Sequence, residues 1–170
     1  MIRVGEGDGR CDGPANPSRK AREYALRLLA MSDRTVKELE AKLRGKGFPE
    51  EVVVEVLAEM MRLGYVNDEK LAAGFAEGCA ERRGIGPHRV RAELSRRGVP
   101  DLAIEHALRL AFDGDREGEV ALASARAWMG RYGLAHGADQ DAARRRLYGF
   151  LARRGFSLEV IERVLREVLG

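Results

Sequence analysis

The sequence predicts an all-α protein built from three tandem three-helix repeats, arranged as an elongated, curved helical array. Two observations carry that expectation. Among the 170 residues only 6% are aromatic, and good helix formers such as Leu, Ala, Arg and Glu take the place of turn-bounded runs of Val, Ile and Thr. Three segments also align without gaps: LRGKGFPEEVVVEVL (Leu43–Leu57), LSRRGVPDLAIEHAL (Leu94–Leu108) and LARRGFSLEVIERVL (Leu151–Leu165). Self-similarity at this spacing is the mark of a stacked repeat, in which one unit alone is too small for a secure core.

Residues 1–17 are rich in Gly and Pro and carry no apolar periodicity, so they read as a disordered leader, with the fold starting near Ser18. The first unit spans 18–66. Its opening helix carries Tyr24, Leu28 and Leu29, and Thr35-Val36-Lys37-Glu38 has the pattern of a capping box for the middle helix. Leu39 and Leu43, four residues apart, share one face of that helix. Gly47 follows where a helix ends on a left-handed residue, and Pro49 with Glu50 and Glu51 opens the third helix. Val53, Val56 and Leu57 then face the core.

The GYVND turn leads into the second unit, 67–114, with Gly64 ending one helix and Asn67 capping the next. Leu71, Phe75 and Cys79 mark its first helix and Gly86-Pro87 starts its second, which carries Val90 and Leu94. Gly98, Pro100 and Asp101 repeat the turn, followed by Ile104, Ala107 and Leu108. In the third unit, 115–170, Leu147 and Leu151 precede Gly155, and Ile161, Val164 and Leu165 close the pattern. The stretch Gly130–Asp141 is longer than its counterparts, so helix boundaries are least defined there.

Charge is nearly balanced, 30 basic against 27 acidic residues, so position matters more than the sum. Basic pairs recur at each turn: Arg44 and Lys46, Arg96 and Arg97, Arg153 and Arg154. Cations in a last helical turn offset the helix dipole; recurrence in all three units also suits a shared basic edge. In the third unit Arg144, Arg145, Arg146, Arg153 and Arg154 fall in a stretch with no acid, which points to DNA or an acidic partner surface. Arg82 and Arg83 beside the Gly84–Gly86 turn form a second candidate, while Arg89, Glu93 and Arg97 have the spacing to neutralise one another.

Enzyme signatures are absent: no phosphate-binding loop, no His-Glu-x-x-His, no nucleophile elbow. His88, His106 and His136 are scattered and read as surface residues, and Cys79 reads as a small core residue. With only Cys11 besides it, no disulfide framework exists. Asp113 to Gly118 imitates the start of a calcium loop, but Ser124 stands where the bidentate Glu belongs, so this is a linker opening a helix. No cofactor, metal or membrane partner is expected, and the expectation is a monomer in the cytoplasm.

The segment from Ala21 to Phe48, the GYVND turn, the run GIGPHRVRAEL (Gly84–Leu94) and the terminal RRGFS (Arg153–Ser157) together resemble the RecX family of bacterial recombination regulators. The resemblance covers roughly Ser18 to Leu169. It implies three three-helix repeats and a partner, the RecA filament on single-stranded DNA, whose extension, ATPase and strand exchange such proteins commonly depress. One departure is Leu71, where the family often has an aromatic residue. A binding role with partner-facing residues Arg82, Arg83, Arg89, Arg96, Arg97, Arg144, Arg145, Arg146, Arg153 and Arg154 follows. The alternative is an autonomous helical DNA-binding protein acting without RecA; the repeated turn resembles a helix-turn-helix, but interleaved stacking aromatics are few.

Overall fold

The computed structural model describes residues 16–132 and 140–170; the leader up to residue 15, Cys11, His136 and most of the Gly- and Ala-rich stretch lie outside them. Among the described residues there are nine α-helices and no strand. They are α1 (Pro17–Met31), α2 (Val36–Gly45), α3 (Glu50–Arg62), α4 (Asp68–Gly78), α5 (Pro87–Arg96), α6 (Asp101–Ala111), α7 (Arg116–Tyr132), α8 (Gln140–Arg154) and α9 (Leu158–Leu169). One π-helical turn, Cys79–Arg83, extends α4.

The helices pack as three triplets, each with its own apolar cluster. The apolar pairs of the middle helices, Leu39/Leu43, Val90/Leu94 and Leu147/Leu151, are fully buried, as are their partners Val53, Ile104 and Ile161 on the third helices. The first helix of each triplet is held differently from the expectation built on its large side chains. Its buried positions are alanine pairs one turn apart: Ala21/Ala25, Ala72/Ala76 and Ala121/Ala125. Small residues let the first helix approach the third closely, and α1 packs on α3, α4 on α6 and α7 on α9. Tyr24, Leu28, Leu29, Leu71 and Phe75 flank that contact half-buried.

The repeated turn has one geometry three times. Gly47, Gly98 and Gly155 sit at φ of 88°, 81° and 84°, a region only glycine enters without strain. The next residue then folds back, so that the amides of Phe48, Val99 and Phe156 donate to the carbonyls of Leu43, Leu94 and Leu151. Pro49 and Pro100 stand one place earlier than expected. They are the caps before α3 and α6, with ψ of 148° and 142°, and the helices begin on Glu50 and Asp101.

Successive triplets join end to start through these turns. At the first seam the Thr35 hydroxyl donates to the carbonyl of Arg97 at 2.7 Å, bringing the end of α5 onto the start of α2. Thr35 is fully buried and also closes the expected capping box with Glu38. At the second seam the amides of Gly86 and His88 donate to the carbonyls of Arg154 and Gly155 at 2.9 and 3.0 Å, bringing the end of α8 onto the start of α5. At the second seam orphan donors at one helix start thus meet orphan acceptors at another helix end, whereas at the first a side-chain hydroxyl supplies the donor. The second seam is close enough that a Cβ on Gly155 would lie 2.4 Å from the Arg89 amide nitrogen, whereas one on Gly47 meets open space.

That contrast separates backbone strain from seam contact. Gly47→Ala should cost about 1–2 kcal/mol, the price of left-handed backbone alone. Gly155→Ala should cost on the order of 3–5 kcal/mol, because it also forces the second seam apart. Urea unfolding of both variants measures the difference; equal losses would mean that the seam adds nothing to the stability of the fold.

A candidate basic interface at the seams

The π-helical turn positions the first two candidates. Its wider ring leaves Gly84 left-handed (φ 56°, ψ 48°), with the Ile85 amide donating back to Cys79 at 3.1 Å. Arg82 and Arg83 are thereby exposed at the end of the first helix of the second unit. Arg83 lies over the Phe75 ring at 5.8 Å and reaches the Cys79 sulfur at 3.8 Å. Arg82 lies along Gly78, where a Cβ would collide with its guanidinium. Cys79 is buried, and burial raises its thiol pKa, which leaves it the inert core residue its position in the pattern suggested.

Other candidate arginines are held by the seams themselves. Arg97, with 18% of its side chain exposed, donates to both oxygens of Glu38 at 2.9 and 3.0 Å and to the Asp33 carbonyl at 3.2 Å. Its guanidinium holds the Glu38 carboxyl below its usual pKa against the opposing effect of burial. Arg154 donates to the carbonyls of Arg83 and Gly84 and stacks over Phe150 at 5.0 Å. Arg89 donates to the Arg153 carbonyl at 3.3 Å. The Arg89–Glu93–Arg97 ladder expected from spacing does not form, because both arginines are drawn to the seams. Glu93 instead takes the exposed Arg96 at 2.5 Å.

The remaining candidates stay on the surface. Arg144, Arg145, Arg146 and Arg153 are exposed on α8. Only Arg153 among them lines the cleft of about 750 Å³ between the second and third units. Arg82, Arg83 and Arg154 line it too, so four candidates from two units converge there. Spacing alone did not reveal Trp128, Arg116 and Arg131 on the α7 wall. Trp128 stacks on Phe150 with centroids 5.6 Å apart, and Arg116 bridges Glu77 at 2.6 Å and Glu81 at 3.6 Å. Arg82 and Arg153 make no ion pair among the described residues, which leaves their charge available to a partner anion. No set of three potential ligands suited to a metal occurs among the described residues, and no described helix is long and apolar enough to cross a membrane.

Comparison with known proteins matches the same three triplets. The models for the first, second and third three-helix domains of RecX match residues 21–60, 67–108 and 122–165. Regulatory protein RecX of Amycolatopsis mediterranei is 36% identical over 156 residues, covering 92% of this chain and 87% of the relative. The Streptomyces coelicolor protein of the same name is 35% identical over 157 residues, covering 92% and 81%. The crystal structure of RecX from Lactobacillus salivarius superposes with a TM-score of 0.80 at 26% identity, over 91% of this chain and 97% of that one.

The first seam should be sensitive to acid. Glu38 has a lowered pKa in the fold, so its stabilisation is complete above the ordinary carboxylate range and is lost as pH falls through the folded value. Asp68, which accepts the Val36 amide at 2.9 Å, has a pKa raised by burial and so works in the opposite direction, favouring the fold on protonation. The chain should exceed Glu38→Gln by about 1–2 kcal/mol at pH 7. Urea unfolding across a pH series should show that gap closing in acid; a gap independent of pH would mean that the Arg97–Glu38 charge pair does not hold the seam.

Proposed function

The chain belongs to the RecX family of regulatory proteins, and from that premise we propose that it binds the RecA filament on single-stranded DNA and restrains its extension, ATPase and strand exchange. It does so by binding, as a cytoplasmic monomer, and makes or breaks no covalent bond. The observation that carries this reading is the convergence of Arg82 and Arg153 from different units on one cleft, where neither makes an ion pair among the described residues. Two exposed guanidiniums on a wall bearing Trp128 and Phe150 suit acidic groups presented by a large partner.

The seams add a second support. Because α2, α5 and α8 are joined end to start, the three units act as one row and can touch successive subunits of a filament. The arginines exposed on α8 extend the basic surface beyond the cleft. Arg89, Arg97 and Arg154 keep that row in register, and their loss would act through shape before it acted through contact.

Titrating RecA filaments on single-stranded DNA with the protein should depress the ATPase rate at substoichiometric ratios. The double variant Arg82→Ala/Arg153→Ala should need about tenfold more protein for the same effect, and Arg144→Ala/Arg145→Ala/Arg146→Ala should be weakened less. A rate unchanged by the protein at any ratio would overturn the filament reading.

A further inference from the structure

The two seams differ in what fastens them, and the difference is mechanical. The second is bridged at separate places. The amides of Gly86 and His88 meet the carbonyls of Arg154 and Gly155, Arg154 meets the carbonyls of Arg83 and Gly84, and Arg116 of α7 meets Glu77 of α4. Rotation about any one of these points breaks the others. The first seam is fastened through the ends of two side chains, the Thr35 hydroxyl and the Arg97 guanidinium, with the flexible Lys37 side chain lying over Gly98.

Each member of the first seam keeps a local alternative. When the Thr35 hydroxyl leaves the Arg97 carbonyl, it still accepts the Glu38 amide at 3.1 Å, and Glu38 still accepts the Thr35 amide at 3.0 Å. The capping box of α2 is therefore complete without the seam. Arg97 stands four residues after Glu93 on α5, the spacing at which the two pair within one helix. Arg34 acts on the Glu38 charge from the same loop, and its Nε is shielded from solvent with no hydrogen-bond partner among the described residues. A guanidinium nitrogen left so favours a second arrangement in which it is paired or wet.

Room and pivot are both present. A cavity of about 540 Å³ opens between the first two units, with Asp33, Arg34, Tyr65, Gly74 and Arg97 on its lining. Just after α3 comes Gly64 at φ 73°, where a Cβ would meet nothing within 4 Å. The Asp68 carboxylate ties the Val36 amide at 2.9 Å beside that turn, close to the pivot. The apolar clusters of the units are separate, so a change in the cavity disturbs none of them.

We propose that the first seam is a latched hinge: the second and third units move as one block, and the first unit swings about the Gly64–Asn67 turn when Arg97 releases Glu38. Hinges absorb motion in a few residues at the ends of elements, and here the bonds lost across the seam have local replacements. Latched, the row has one curvature. Released, its first unit can adjust to a surface that the other two already hold. The hinge belongs to the chain by itself, whatever its partner.

Spin-label distance measurement by pulsed electron resonance tests it on the full chain, with Cys11→Ser so that introduced thiols take the label and buried Cys79 stays in place. The pair Lys42→Cys with His106→Cys spans the first seam, and His106→Cys with Glu162→Cys spans the second; all three sites are exposed. The first pair should give two distances and the second pair one. Arg97→Ala should raise the ratio of released to latched chains about tenfold in the first pair. It should leave the second pair unchanged, which also shows that the variant folds. Salt at about 1 M, which cuts the screening length to about 3 Å, should shift the first pair the same way with the latch residues intact. A single narrow distance for the first pair, unmoved by Arg97→Ala and by salt, would overturn the hinge. So would equal broadening of both pairs, which would mean that the row is loose throughout. RecA takes no part in this measurement, so a rigid first seam with ATPase inhibition intact would leave the filament reading standing.

Discussion

Everything in this molecule hangs on the meeting of one helix end with another helix start. A helix leaves carbonyls unpaired at its end and amides unpaired at its beginning. Here the end of α5 closes on the start of α2, and the end of α8 on the start of α5. The two seams are chemically unequal. The second is backbone to backbone across Gly86 and Gly155, too tight for any side chain at either position. The first runs through side chains, with the Thr35 hydroxyl and the Arg97–Glu38 pair standing where the second seam has amides and carbonyls. Side-chain charges respond to pH and salt and backbone bonds far less, so the first seam is the one that conditions can loosen.

The seams also decide what the basic residues do. An arginine at a helix end is placed to cap carbonyls, and Arg97 and Arg154 each do so across a seam. Their neighbours Arg96 and Arg153 point outward on the same turns. The basic pair of the repeat is therefore split in the second and third units, one member building the row and the other facing solvent. In the first unit Arg44 folds back onto Glu40 and Glu50 instead. The π-helical turn completes the pattern by bringing Arg82 and Arg83 to the cleft between the second and third units.

Much of this was legible in the sequence because the repeat states it three times. The leucine and valine pairs of the middle helices, the left-handed glycines, the Thr35 capping box and the Asn67 cap follow from local rules that tertiary structure did not override. The alanine pairs of the first helices were not legible, since alanine carries little hydrophobic signal and its use lies in close approach. Nor were Arg116 and Arg131, which belong to no local pattern and gain meaning only when distant helices bring them to the lining that also holds Arg82 and Arg153. Leu71, where the family often has an aromatic residue, packs half-buried against the second core, so that departure is one of packing.

The row of units is tested most directly by native-state hydrogen exchange at two amides, Gly86 and His88. Both lie just outside or at the first residues of α5, where an amide has no partner within its own helix. If the end of α8 is docked there, both should exchange as slowly as amides in the middle of α5, at the rate set by global unfolding. Exchange at the rate of an exposed loop would show that the second and third units are not joined, and the cleft that gathers arginines from both would fall with them.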